Sequence, residues 1–105
     1  MQIEPSHLIE IAFTVWNIKA SSALVKHQGA ASTNIPRARH LAYYLLNKHT
    51  DLSVREMAQI FDDFPATAGS GLESARLAIE TNFITWKNQA MRNKYLEAVS
   101  IINEM

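Results

Sequence analysis

Apolar positions recur at spacings of three and four residues along most of the chain, which is the pattern of amphipathic helices. No segment alternates strictly between apolar and polar residues, so strands are not expected. The pattern predicts a first helix from Pro5 to about Asn17 and a second helix opened by Pro36, since proline is favoured in the first helical turn. Between these helices we expect a short turn over 23–25 and a flexible loop over 27–34, which is small and polar.

The strongest local signal is Ser53 followed three residues later by Glu56. This spacing is that of a capping box, in which the serine hydroxyl accepts from a backbone N–H and the glutamate reaches back to the start of the helix. It predicts a helix over 53–61. So short a helix depends on packing against the rest of the protein for its stability.

A second Ser-x-x-Glu, from Ser70 to Glu73, predicts another helix start, with a helix over 70–86. The preceding turn would then span 62–69. Two glycines at this start, Gly69 and Gly71, are expected to give the turn its positive φ angles. The helix would carry an apolar stripe made of Leu72, Ala75, Ile79, Phe83 and Trp86.

A last helix is predicted from about Gln89 to the end of the sequence, burying Tyr95, Leu96, Val99 and Ile102. The chain has 105 residues, which suits a single domain over 1–105. We therefore expect an all-α fold, a compact bundle of about five to six helices in which 53–61 and 70–86 form a helix-turn-helix.

Composition narrows the classes of function. The chain contains no cysteine, which excludes a disulfide scaffold, a thiolate zinc site and a cysteine nucleophile. Its apolar stretches are too short to span a bilayer, so no membrane partner is expected. Residues 1–10 have two acids and no basic residue, unlike a signal peptide, and we expect a cytoplasmic protein.

The formal net charge is zero, but the charges are unevenly distributed. Residues 11–50 contain five basic residues and no acid, whereas 51–80 contain six acids and two arginines. A long acid-free basic stretch is typical of a surface that binds a polyanion. It is equally compatible with an ordinary solvated basic face, and composition alone leaves both interpretations open.

The sequence does not indicate an enzyme. The four histidines show no metal-ligand spacing with a carboxylate, such as the HExxH pattern, and no metal site is expected. The Gly69-Ser70-Gly71 segment lacks the following lysine of a phosphate-binding loop. No catalytic residues and no cofactor are therefore predicted.

Two consecutive motifs carry a resemblance to a known family. The first runs from Pro36 to Leu45 and contains Arg37-Ala38-Arg39-His40-Leu41-Ala42; the second runs from Thr50 to Phe61. Together they resemble the C-terminal domain of the bacterial replication initiator DnaA, which has an Ala-Arg-x-Arg-Gln-x-Ala helix followed by Thr-x-x-Ser-x-x-Glu-Ile-Gly-x-x-Phe. Weaker likeness upstream and downstream extends the match to nearly the whole chain, as a standalone domain without the family's ATPase module.

The resemblance implies binding of double-stranded DNA, in a role connected with recognition of a replication origin or its regulation. The second helix of the helix-turn-helix would enter the major groove. Basic side chains would contact phosphates, which position the protein, and polar side chains of the second helix would contact bases. The expected phosphate contacts are Lys26, Arg37, Arg39, Lys48 and Arg55. The expected base contacts are Thr67, Ser70 and Glu73.

An alternative function remains open, because the family's Gly-Gly-x-Asp-His-Thr-Thr-Val signature is replaced here by the segment 62–73. In this alternative, the chain is a protein-interaction module derived from a DnaA-like domain. The turn Asp62-Asp63-Phe64-Pro65, an acidic pair beside an aromatic, would dock on a basic partner such as a replication-associated protein. The sequence does not fix the oligomeric state.

Overall fold

The computed structural model describes residues 3–18, 34–81 and 85–105, and every regular element in these ranges is a helix. The predicted all-α class is therefore confirmed. The predicted turn over 23–25, nearly all of the predicted loop and Lys26 lie outside the described residues. The helices are α1 (Pro5–Val15), α2 (Asn34–His49), α3 (Val54–Ile60), α4 (Pro65–Glu80) and α5 (Trp86–Asn103).

Helix α2 is the centre of the bundle and contacts each of the other four helices. Its inner positions Leu41, Ala42, Leu45 and Leu46, which the periodicity predicts, are completely buried. Full burial of a leucine side chain is worth about 1.5–3 kcal/mol relative to leaving it exposed. The helix begins at Asn34, two residues before the predicted Pro36, and so places Pro36 inside its first turn.

The predicted capping box at the start of α3 is confirmed. The Ser53 hydroxyl accepts from the Glu56 N–H at 3.1 Å, and the Glu56 carboxylate accepts from the Ser53 N–H at 3.0 Å. These hydrogen bonds from Ser53, the backbone one above all, lower the pKa of the Glu56 carboxyl because they stabilise its ionised form. The start of α3 is therefore fixed by local chemistry.

The end of α3 is a Schellman motif. The Asp63 N–H donates to the Ala58 carbonyl at 2.8 Å, and the Asp62 N–H donates to the Gln59 carbonyl at 3.1 Å. Asp62 has a φ of 51°, the left-handed conformation that this motif requires at that position. The chain thereby reverses direction over 61–64, and α4 follows directly.

The predicted start of the next helix at Ser70 is wrong. Helix α4 begins at Pro65, after an extended Phe64, so Ser70 and Gly71 lie within the helix and no second capping box forms. Proline in the first turn costs no hydrogen bond, and its fixed φ is already helical. None of the glycines among the described residues has a positive φ, so the role expected of Gly69 and Gly71 in a turn is also wrong.

The predicted end of that helix is wrong as well. Helix α4 stops at Glu80, and a new helix starts at Trp86, where the Thr85 hydroxyl caps α5 by accepting from the Asn88 N–H at 3.1 Å. The apolar stripe predicted over 72–86 therefore belongs to two helices. Its member Phe83 lies outside the described residues.

Gly71 allows α4 to approach α2 closely. A Cβ atom at this position would lie 2.8 Å from the Cδ2 atom of His40 and 3.2 Å from that of Tyr43. Gly69, one half-turn earlier on α4, has more room, since its Cβ would lie 3.8 Å from a methyl group of Val54. The two glycines thus have different roles in the same helix.

This difference predicts opposite effects of the same substitution. We expect Gly71→Ala to lower the free energy of unfolding by about 1–2 kcal/mol, because His40 and Tyr43 must move. Gly69→Ala should instead raise it by up to about 1 kcal/mol through the better helix propensity of alanine. Urea unfolding of both variants measures this pair of effects. Equal stabilisation by the two substitutions would contradict the close contact at Gly71.

Candidate nucleic-acid interface

One face of α4 is open to solvent and is made largely of small polar or small apolar side chains. The buried positions of the helix, which include Ala68, Gly71, Leu72, Ala75 and Ala78, face the core. The exposed positions follow each other at spacings of three and four, so they lie on the opposite side. The terminal residues Pro65 and Glu80 are exposed as well. The exposed positions between them are Ala66, Thr67, Ser70, Glu73, Ser74 and Leu77, and we call these six the α4 outer face.

The predicted base contacts Thr67, Ser70 and Glu73 are all members of the α4 outer face. Thr67 belongs to the first turn of the helix, and Ser70 is one turn further along. The structure therefore brings these three residues together on one surface. The short side chains at the first two positions leave the backbone of α4 accessible to a large partner.

Acids close to the α4 outer face already have partners. The Glu73 carboxylate lies 3.3 Å from the Arg76 guanidinium, and the Glu80 carboxylate accepts from the Tyr44 hydroxyl at 2.7 Å. The first is a solvent-exposed pair worth less than about 1 kcal/mol, but it neutralises the charge of Glu73 locally. The second contact and burial both raise the pKa of Tyr44, burial more strongly, so this hydroxyl stays protonated as a donor.

The turn between α3 and α4 holds one of its two acids inward. The half-buried Asp63 carboxylate accepts from the Tyr43 hydroxyl at 3.1 Å and from the Phe64 N–H at 3.1 Å. Burial, and then the charge of Asp63, raises the pKa of Tyr43. Asp62 is exposed, and the neighbouring Phe64 is 73% exposed. The turn thus presents an aromatic ring and a single outward acid.

Arg37 and Arg39 do not form a common basic patch. Two residues along a helix correspond to a rotation of roughly 200°, so the two side chains leave α2 in nearly opposite directions. The guanidinium carbon of Arg39 lies 5.8 Å from the ring centre of Phe61, at the end of α3. That of Arg37 lies 5.7 Å from the ring centre of Trp86, at the start of α5. Only Arg39 is therefore placed at the turn between α3 and α4.

The remaining predicted phosphate contacts are also separated. Arg55 is exposed in the first turn of α3, next to Val54, whose side chain faces Gly69 of α4. Lys48 lies near the other end of α2, about 16 Å along the helix axis from Arg37, with its amine 5.8 Å from the ring centre of Tyr44. Arg55 thus lies close to α4, and Lys48 is placed at the far end of α2.

Trp86 was not among the predicted site residues, because the spacing assigned it to an apolar core stripe. It is 70% exposed, whereas the other tryptophan, Trp16, is 6% exposed. A signal for the correct helix start exists in the sequence, since Thr85 directly precedes Trp86 and threonine is a good N-cap. Because α5 begins at Trp86, this residue does not continue the apolar stripe of α4.

His40 of α2 is partly buried against α4, beside Gly71. Burial, with a smaller effect of the neighbouring Arg39, lowers the pKa of its imidazole below 6.5. The unfolded chain therefore takes up this proton at a higher pH than the folded chain does. Folding stability contributed by neutral His40 is complete above pH 6.5 and is lost as the pH falls towards the folded pKa.

We therefore expect the melting temperature to fall between pH 7.5 and pH 5.5. Burial, and to a smaller extent the charge of Lys48, also lowers the pKa of His49, so protonation of this histidine destabilises the folded chain on acidification in the same way. Replacing His40 with glutamine, which does not titrate, should reduce this dependence, as measured by thermal unfolding across the pH range. A melting temperature that rises on acidification would contradict the buried, neutral imidazole.

Within the described ranges, no three histidine or acidic residues are grouped so that they could bind a metal ion. None of the helices given above is both long and apolar enough to cross a membrane.

Comparison with known protein families, curated proteins and solved structures finds no match to this chain. The resemblance to the DnaA C-terminal domain therefore stays a prediction from the motifs over 36–61.

Proposed function

We propose that this protein binds double-stranded DNA, with α3, the turn over 61–64 and α4 acting as a helix-turn-helix. A short helix, a turn of three to four residues and a second helix are the parts of this motif. In such proteins the second helix lies in the major groove and its N-terminal residues contact base edges. The α4 outer face, with Thr67 in its first turn, is the observation that carries the proposal.

Charges around the α4 outer face support the proposal. Arg55 at the start of α3 and Arg39 beside Phe61 are cations close to the two ends of α3, where phosphates flanking a major-groove helix would lie. Two acids nearby have partners, because the Glu73 carboxylate pairs with Arg76 and the Asp63 carboxylate accepts a hydrogen bond from the Tyr43 hydroxyl. A duplex approaching α4 therefore meets Glu73 paired with a cation, an exposed Asp62, and an Asp63 whose Tyr43 partner is a neutral donor.

The resemblance to DnaA supports the same assignment. Its two motifs end at Phe61, the first residue of the turn over 61–64, so on this resemblance α4 would correspond to the family's DNA-binding helix. Thr67, Ser70 and Glu73 replace the family's base-contacting signature. A DNA sequence other than the DnaA box would follow from this replacement, in a role still connected with a replication origin or its regulation.

The proposal predicts salt-dependent binding to duplex DNA. Fluorescence anisotropy of labelled duplexes, one with a DnaA box and one scrambled, should show affinity that falls steeply with salt. Arg55→Ala should weaken binding to both duplexes equally and reduce the slope of log affinity against log salt by about 0.9, the value for one phosphate. Lys48→Ala is the matched control, since Lys48 lies near the opposite end of α2 from Arg39 and not at the turn between α3 and α4, and it should leave the slope unchanged.

Absence of binding at low salt, or equal losses in the two variants, would contradict this interface.

A specific observation then favours the alternative function, a protein-interaction module. Phe64 is 73% exposed and Ile60 is 38% exposed, and both stand at the turn beside the exposed Asp62. An apolar pair next to an acid fits a partner that presents apolar and basic side chains.

A further inference from the structure

The exposed start of α4 is uncharged and largely apolar. Phe64, the N-cap residue, is 73% exposed. The first turn that follows it exposes Pro65, Ala66 and Thr67, and no residue from Phe64 to Leu72 carries a charge. In a helix-turn-helix protein, this is the part of the second helix that contacts base edges. The groups available for such contacts are therefore mainly methyl groups and rings.

The major groove offers one apolar group to a surface of this kind. Thymine carries a C5-methyl group on its major-groove edge, and its apolar partners in protein–DNA contacts are alanine, the methyl group of threonine and phenylalanine. Phe64, Ala66 and Thr67 supply all three kinds of partner within one short exposed segment. The start of α4 therefore matches thymine in its chemistry.

The other members of the α4 outer face narrow the choice of base. Guanine is recognised by arginine or lysine and adenine by asparagine or glutamine, and none of these four residue types occurs among the six members of this face. Ser70 can bond to more than one base and does not discriminate between them. Glu73 could accept from the amino group of cytosine, but its carboxylate lies 3.3 Å from the Arg76 guanidinium. Thymine is the base that the exposed start of the helix fits best.

We propose that Phe64, Ala66 and Thr67 contact thymine methyl groups in the major groove, so that the protein selects DNA with A·T pairs under the start of α4. This inference rests on the proposed function and names the class of DNA sequence recognised. The contact needs no charge, because the phosphate contacts of Arg55 and Arg39 supply affinity that does not depend on sequence.

Removal of the thymine methyl group tests the inference. Fluorescence anisotropy compares two labelled duplexes of equal length, one of alternating adenine and thymine and one in which uracil replaces every thymine. Each register of the first duplex presents methyl groups, so the position at which the protein binds does not affect the comparison. We expect the affinity for the thymine duplex to be higher by at least about fourfold, the value for burying one methyl group.

Substitutions of the exposed Thr67 assign the effect to the start of α4. Thr67→Ser removes the methyl group and keeps the hydroxyl, and it should lower the ratio of the two affinities. Thr67→Val is the matched control, since it loses the hydroxyl but keeps a methyl group, and it should preserve the ratio.

The outcomes separate this inference from the proposed function. Equal affinity of the full chain for the two duplexes, or a ratio that Thr67→Ser leaves unchanged, overturns thymine recognition and leaves DNA binding standing. Binding to the DnaA-box or scrambled duplex but to neither alternating duplex does the same. Absence of binding to all four duplexes overturns both.

Discussion

The contact of Tyr43 with three different segments is the constraint on which the rest of the interface depends. Its ring, 1% exposed, meets Phe61 edge to face with centres 5.0 Å apart, and its hydroxyl donates to Asp63. The Cδ2 atom of the same ring lies 3.2 Å from the position that a Cβ atom at Gly71 would take. One buried side chain of α2 thereby sets the end of α3, the turn and the depth at which α4 packs, and an aromatic pair of this geometry adds about 0.5–1.5 kcal/mol beyond its burial.

This arrangement also determines the charge of the surface. Because Asp63 is bound to Tyr43 and Glu80 to Tyr44, two carboxylates that the sequence places near α4 are directed toward α2. The number of acids in 51–80 therefore does not predict the electrostatic potential around α4. What remains on the α4 outer face is mainly short and uncharged, and cations are provided by Arg55 and Arg39 at its borders. Net charge summed over a sequence segment does not contain this information.

Much of the fold is predictable from the sequence, because helix periodicity and the capping box are local signals. The inner positions of α2 and the start of α3 at Ser53 follow from them. The start of α4 does not, since Phe64-Pro65 is equally compatible with a turn and with a helix opening at its first position. Packing decides between these, and the close approach of α4 to His40 at Gly71 is a tertiary contact that the local sequence does not show.

The candidate site is less predictable than the fold. Spacing along α2 shows that Arg37 and Arg39 diverge, but not that their partners are Trp86 and Phe61, which are distant in sequence. Likewise, the exposure of Trp86 depends on where α4 ends and α5 begins. Lys48 carries the same charge as the other candidates and is set apart only by its position at the far end of α2. These contacts and exposures depend on the tertiary structure and cannot be predicted from residue type.

The most direct test of the account is a titration of the uniformly ¹⁵N-labelled chain with duplex DNA, followed by amide resonances. Binding through α4 predicts shifts concentrated at Thr67, Ser70 and Ser74 and at Arg55. Resonances of the groove between α1 and α5, lined by residues such as Glu10 and Ile101, should stay in place. Shifts confined to that groove, or a spectrum unchanged at low salt, would contradict the account.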